Sequence, residues 1–270
     1  MRSTCLVFSL ALAVGACTAA DEAPPVLRVC ADPNNLPFSN DKGEGFENQI
    51  AKLVANDLGE QLQYTWMPQR RGFIRRTLKA RSCDLVIGVP AGYELVAPTK
   101  PYYRSTYVFV SRKDRALGIT SLDDPRLKDL KIGVQITGDD YENPPAVEAL
   151  AKRGLYDRVV GYPIYGDYSQ QNPASNIIDA VAHGDVDLAI VWGPLAGYAA
   201  KRLPLEVQPV TPAVDPPGNR FTFGIAMGVR KQDRELHAKV ERVIAKEDHA
   251  IAAILDDYGV PRVQAQEAKR

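Results

Sequence analysis

Side chains able to do covalent or acid–base chemistry are sparse in this chain, and their spacing argues against catalysis. The three histidines, His183, His237 and His249, have no neighbour at metal-ligand spacing, and each reads as a residue on a solvated helix face. The acidic pairs Asp139-Asp140 and Asp256-Asp257 are adjacent in sequence, as surface acids are. There is no Gly-x-Ser-x-Gly elbow and no phosphate loop. The run Gly43-Glu-Gly45-Phe-Glu-Asn48 lacks the third glycine of a dinucleotide fingerprint. No catalytic or metal-binding set is therefore expected. What recurs is a mixture of aromatic and polar residues just after short apolar runs. Asn34, Asn35 and Phe38 follow the first run, Trp66 and Arg71 the second, and Tyr93, Tyr102 and Tyr103 the third. Thr137, Asp139 and Tyr141, then Tyr168 and Trp192, repeat the arrangement later. Rings supply apolar contact, and amides, hydroxyls and a guanidinium supply directional hydrogen bonds. That is the chemistry of binding, although about half of such aromatics would be buried for packing alone.

The elements that must position these residues are short strands. Leu85 to Val89 is an apolar, β-branched run suited to a strand buried on both faces. It follows an amphipathic stretch at 72–80 that reads as a helix, so the pair forms half of a parallel βαβ unit. Ligands bind at the carboxyl ends of such strands, here at Pro90, Gly92 and Tyr93. The pattern returns in Asp187-Leu-Ala-Ile-Val-Trp192, whose aspartate lies 103 positions after Asp84. Leu27 and Leu130 open two further runs at the same offset. Either buried strands simply resemble one another, or the chain has two lobes of like topology with a cleft between them.

The expected class is therefore α/β, with two Rossmann-like lobes joined by two hinge crossovers. Strands are expected at 27–31, 62–66, 84–89, 105–110, 130–134, 186–191 and 221–229. Helices are expected at 46–58, 72–80, 146–151, 175–183, 194–201 and, as one long element, 232–257. A polar stretch after Ser111 and the proline-rich segment from Pro209 to Arg220 read as the crossovers. They divide the chain into a first lobe of 26–110 plus 221–263, an inserted second lobe of 111–220, and a tail of 264–270. The segment 162–173 is a long aromatic and polar loop without periodicity.

Bulk properties agree with an exported globular protein. The 270 residues are 45% hydrophobic and 24% charged, with 33 basic side chains against 33 acidic. That balance gives no reason to expect nucleic acid. Arg70-Arg71 and Arg75-Arg76 read as solvated. Residues 1–20 have the charged start, apolar centre and small-residue end of a secretory signal peptide. Val14-Gly-Ala-Cys17 resembles a lipoprotein cleavage box that would leave Cys17 lipidated, the single route by which this chain would meet a membrane. Cleavage after Ala20 would instead release a soluble periplasmic chain. Cys30 and Cys83 remain in the body, an even pair in an oxidising compartment, and are expected to be bridged; two buried free thiols are the alternative.

The order Leu27-Arg-Val, Pro37-Phe38, Gly45-Phe46, Leu58-Gly59, Asp84-Leu-Val-Ile-Gly and Pro101-Tyr102-Tyr103 resembles the type II periplasmic solute-binding proteins. Cys30-Ala-Asp-Pro-Asn-Asn-Leu-Pro-Phe38, Gly45-Phe-Glu-Asn48, Tyr64-Thr-Trp66, Gln69-Arg-Arg-Gly-Phe73, Gly88-Val-Pro-Ala-Gly-Tyr93 and Thr99 to Val110 are similar, more narrowly, to its MxaJ/XoxJ branch. The resemblance implies the type II periplasmic binding protein fold and association with a PQQ-dependent methanol or related alcohol dehydrogenase, or with its cytochrome c. It implies no cofactor on this chain, since PQQ belongs to the partner enzyme. Amino-acid binders of the superfamily carry an arginine in the turn after the third strand. Here that turn reads Ala91-Gly-Tyr-Glu94-Leu, which leaves a ligand carboxylate unpaired.

Three functions remain: an accessory protein that docks a partner through an open inter-lobe cleft, a transport receptor for a small solute other than an amino acid, and an enzyme built on the same fold. The first is the expectation, the second is the alternative, and the third has no constellation to support it.

Overall fold

The computed structural model describes residues 24–137 and 143–264. The expected signal peptide, Cys17, Asp139, Tyr141 and nearly all of the expected tail lie outside the described residues. Nine strands carry the architecture: β1 Val26–Ala31, β2 Gln61–Trp66, β3 Leu85–Pro90, β4 Tyr103–Arg112, β5 Ile132–Ile136, β6 Val159–Pro163, β7 Leu188–Trp192, β8 Leu205–Pro209 and β9 Thr222–Val229. Hydrogen bonding orders them β2-β1-β3-β9-β4-β7-β5-β6, with β8 also paired to β4. The pairs β1–β2, β1–β3, β5–β6 and β5–β7 are parallel, whereas β4 and β9 run antiparallel to their neighbours.

Two βαβ halves follow from the repeat in the sequence. The amide of Asp84 donates to the carbonyl of Arg28 at 2.7 Å, and that of Asp187 donates to Lys131 at 2.9 Å. Each bond ties the foot of one parallel strand to the strand beside it. The Asp84 carboxylate receives Arg28 and Arg230, and the Asp187 carboxylate receives Arg115 and the Lys131 amide. Desolvation opposes ionisation of both, but these donors outweigh it and hold both acids below the usual aspartate range.

Strand β4 joins the halves. Tyr103 to Thr106 pair with β9, while Tyr107 to Ser111 pair with β7 on the other side of the molecule. The chain thus changes partners within a continuous strand at Thr106–Tyr107, upstream of the boundary expected at 111. A run of ten strand residues with β-branched and aromatic side chains is long enough to serve both sheets.

Helices cover both faces. Among the described residues they are α1 Phe46–Leu58, α2 Phe73–Arg76, α3 Pro145–Lys152, α4 Asn176–His183, α5 Gly193–Ala200, α6 Arg234–Lys246 and α7 Asp248–Asp257. Helix α1 buries Phe46, Ile50 and Val54 against Leu85, Ile87 and Met227, and Val240 and Ile251 of α6 and α7 join the same core. Two helices differ from the expectation. The stretch at 72–80 keeps a single turn, because the Thr77 hydroxyl donates to the Phe73 carbonyl at 2.6 Å and Arg81 turns to positive φ. The helix expected across 232–257 breaks at Glu247 (φ −101°, ψ 20°), and both pieces reach the same core.

Cys30 on β1 and Cys83 before β3 are bonded to each other, with a Cα–Cα separation of 5.5 Å and a sequence separation of 53. Both are buried.

Candidate functional site

Parallel strands that stop at a common level leave their loops around one space. Asp32 follows β1, Gln69 to Arg71 follow β2, Gly88 to Pro90 end β3, Gln135 lies near the end of β5, Tyr168 follows β6, and Trp192 ends β7. All of them line one cavity of about 750 Å³ between the two halves. Its floor is aromatic where β4 passes from one half to the other. Tyr107, Trp192 and Phe223 form a triangle with centroid separations of 5.4, 6.0 and 6.4 Å. Burial raises the Tyr107 hydroxyl to about 12, so it stays protonated.

Of the residues expected at the site, Asn34, Asn35, Phe38, Arg71, Tyr93, Tyr168 and Trp192 line this cavity. Trp66, Tyr102, Tyr103 and Thr137 do not, and this corrects the expectation that they face the cleft. Trp66 sits on the terminal strand β2 and stacks on Tyr64 at 4.4 Å. Tyr103 is 6% exposed and meets Phe46 edge-on at 6.2 Å within the core of the first half. Tyr102 packs against Tyr103 at 5.0 Å, with its hydroxyl buried and without a hydrogen-bond partner. Thr137 bonds to Asn143 instead. Proximity to a strand end does not decide which face a side chain takes, and a shift of one residue reverses it. Of the histidines, His237 departs from a purely solvated setting and meets the Pro98 carbonyl at 3.1 Å.

Sequence reasoning named Asn34 and Tyr168 but missed the residues that join them across the cleft, Asp32, Arg70, Gln170 and Asn172. Asp32, 2% exposed, accepts from the amides of Asn34 and Gln69 at 2.8 and 2.6 Å and from the Tyr168 hydroxyl at 2.5 Å. Asn34 donates through Nδ2 to the Gln170 carbonyl and accepts at Oδ1 from the Asn172 amide, both at 2.7 Å. Arg70 lies over the Tyr168 ring at 4.5 Å and donates to the Gly166 carbonyl at 3.1 Å. The loop at 164–172 therefore straps the second half to the first, and the gap expected to be open is bridged along this rim. The only signal available was the string of aspartate, asparagine and glycine in that loop, which marks a turn without showing where it reaches.

Glu47 in the first turn of α1 lies against Gly88, where an added Cβ would overlap its carboxyl oxygen. Burial, with the negative charge of Asp32 as a second cause, raises Glu47 to about 8. Near neutrality it is mostly protonated and adds little charge beneath the cavity. Among the described residues no group of three or more His, Cys, Asp or Glu side chains could hold a metal ion, and no helix is long and apolar enough to cross a membrane.

The bacterial extracellular solute-binding proteins, family 3, match residues 27–261, and the chain belongs to this family. Protein MoxJ of Methylorubrum extorquens AM1 is 36% identical over 261 residues, covering 90% of this chain and 84% of the relative. Protein MoxJ of Paracoccus denitrificans is 31% identical over 274 residues, covering 96% of each. The crystal structure of the periplasmic binding protein XoxJ from Methylobacterium extorquens AM1 superposes with a TM-score of 0.73 at 40% identity, covering 88% of this chain and all of that one. The chain is an MxaJ/XoxJ-like periplasmic binding protein with the type II binding fold.

Proposed function

We propose that this protein is a non-catalytic accessory factor of a PQQ-dependent methanol or related alcohol dehydrogenase, and that it docks the dehydrogenase or its cytochrome c through the inter-lobe cavity. The MoxJ and XoxJ relatives suggest the dehydrogenase system. The observation that favours docking is how the polar groups of the cleft are used. In a receptor for a small solute, a few convergent polar groups fix the ligand's orientation. Here Asp32 accepts from the amides of Asn34 and Gln69 and from Tyr168 of the strap, and Asn34 is bonded to Gln170 and Asn172 of the strap. The turn at Ala91 to Leu95 brings Tyr93 to the cavity and contains no guanidinium for a ligand carboxylate. The aromatic floor stays available to a partner.

A tagged, exported form of the protein tests the reading directly. Purified dehydrogenase and cytochrome c are each offered to it, and stoichiometric retention of either is the expected result. Retention of neither, together with a metabolite released on denaturation, favours the second reading. That reading is delivery of a small solute other than an amino acid to a membrane permease, and a cavity of about 750 Å³ supports it.

A further inference from the structure

Three hydrogen-bonding groups that stay open inside the cavity carry no charge. Gln135 on β5 is 8% exposed and lines the cavity, and its side-chain amide has no hydrogen-bond partner among the described residues. The same residue borders a second hollow of about 320 Å³ beneath the strap, together with Gly166, Asp167 and Asn176. The Tyr107 hydroxyl and the Trp192 indole N–H, on the floor, likewise have no hydrogen-bond partner among the described residues. Amide, hydroxyl and indole can each donate to an oxygen, and the Gln135 oxygen can accept from an N–H.

At the rim, charges of both signs stand side by side. Arg70 and Arg75 line the mouth, and Arg71 beside them is already engaged. Asp167 lies near Arg70; bonds from Ser169, and then the charge of Arg70, hold its carboxyl below the usual aspartate range. Glu94 is exposed on the turn whose Tyr93 and Leu95 line the cavity, and Asp32 is bridged to the strap through Tyr168. The rim therefore selects neither sign. Deeper in, a charge would lose its water and meet only the amide of Gln135 and the rings of Tyr107, Trp192 and Phe223.

From this arrangement we infer that the part of the partner protein that enters the cavity is an uncharged stretch of chain, with an apolar side chain seated on the aromatic floor and a main-chain peptide group paired with the Gln135 amide. The inference rests on the docking reading above and specifies its chemistry. A peptide group offers a carbonyl to the Gln135 N–H and an N–H to its oxygen, which are the two complements of a carboxamide. The next carbonyl along a chain can reach the Tyr107 hydroxyl or the Trp192 indole. Gln135 borders both the main cavity and the hollow under the strap, so a segment paired with it runs from the floor towards the strap. A small neutral solute fills one end of that path and leaves the other empty. The seated side chain supplies most of the affinity, and the paired peptide group fixes the register.

Calorimetry near neutral pH with synthetic peptides blocked at both ends tests this. One carries Phe-Leu between serines, a second Phe-Leu between glutamates, a third Phe-Leu between lysines, and a fourth Gly-Gly between serines; N-acetylphenylalanine amide is the fifth titrant. The first peptide should bind at least about tenfold more tightly than the others, with an affinity that changes little as salt is raised. Gln135→Met, close in size, should weaken it about fivefold without lowering the melting temperature. Gln135→Glu should weaken it too and turn the preference towards the lysine peptide, a change that altered packing alone does not produce. A glutamate or lysine peptide that binds the unmodified protein as tightly as the first overturns the assignment to an uncharged segment. Unchanged affinity in folded Gln135→Met overturns the pairing with Gln135. Binding of N-acetylphenylalanine amide as tight as that of the first peptide identifies a small neutral solute as the occupant and overturns the assignment to a chain segment. If no peptide binds while the dehydrogenase is still captured, this inference fails and docking stands. A folded protein that takes up neither the peptides nor the dehydrogenase and cytochrome removes the docking reading as well.

Discussion

The hydroxyl of Tyr168 donates to Oδ2 of Asp32 at 2.5 Å, joining residues 136 positions apart across the cleft. Burial, followed by the bond to Asp32 and its charge, raises the Tyr168 hydroxyl well above the usual tyrosine range, so it remains a donor at every physiological pH. With Asn34 bonded to Gln170 and Asn172, it ties the loop at 164–172 to the first half.

Tyr168→Phe removes that donor and leaves Asp32 with the amides of Asn34 and Gln69. A hydrogen bond to a charged acceptor contributes about 1.5–3 kcal/mol, so the ratio of closed to open molecules should fall by roughly one to two orders of magnitude. Spin labels placed on the two halves would report a longer mean distance in the variant. An unchanged distance distribution would show that the strap follows closure and does not maintain it.

Reducing the bond between Cys30 and Cys83 should lower stability without changing the shape of the cleft. The pair closes a loop of 53 positions, which corresponds to about 4 kcal/mol on the chain-entropy account. A Cys30→Ser, Cys83→Ser variant should melt many degrees lower, and dithiothreitol should shift the unmodified protein in the same direction. Equal melting temperatures with and without reductant would contradict this.

Much of the framework could be read from the sequence because its determinants are local. Asp84 and Asp187 each precede an apolar run and bond back to Arg28 and Lys131, so the offset of 103 reflects real structural equivalence. Gly59 ends α1 in the left-handed conformation, as a glycine just after a helix does. The cleft was less legible because its contacts are distant and depend on facing. Tyr102 and Tyr103 look like Tyr93 in sequence, yet they pack inward with Phe46, and only Tyr93 lines the cavity. The strap at 164–172 has no periodicity, and its partners Asp32, Asn34 and Arg70 lie far upstream. Phe223 reaches the floor only because β9 returns beside the point where β4 changes partners.

Glu47 predicts a pH dependence with a definite sign. Its value in the folded protein, about 8, lies above the ordinary 4.5, so the folded state holds the proton more tightly than the unfolded one. Its contribution is complete below 4.5 and declines as pH rises towards 8, the window in which the unfolded chain has lost the proton and the folded chain retains it. Glu47→Gln, which cannot ionise, should flatten that decline and gain about 2 kcal/mol or more on the unmodified protein at the alkaline end. Urea melts at the two ends of the window measure it. Parallel declines in both proteins would assign the effect to another group.

The last prediction separates the two tryptophans. Trp192 belongs to the aromatic floor with Tyr107 and Phe223, whereas Trp66 stacks on Tyr64 at the edge of the sheet and does not line the cavity. If a partner segment enters the cavity, truncating the floor removes the surface on which its apolar side chain rests. Aromatic anchors at the centre of an interface contribute about 2 kcal/mol or more, so Trp192→Ala should weaken capture of the dehydrogenase or cytochrome by a factor of roughly thirty. Trp66→Ala should leave capture intact, although loss of its stacked partner costs some stability. The two variants serve as controls for each other, because loss of a large ring lowers the melting temperature in both while one alone touches the proposed path of the segment. Trp192→Phe adds a further check, since a smaller ring keeps part of the floor and should restore part of the binding. Equal loss of capture in the folded Trp66 and Trp192 variants, or in neither, would place the interface outside the cavity.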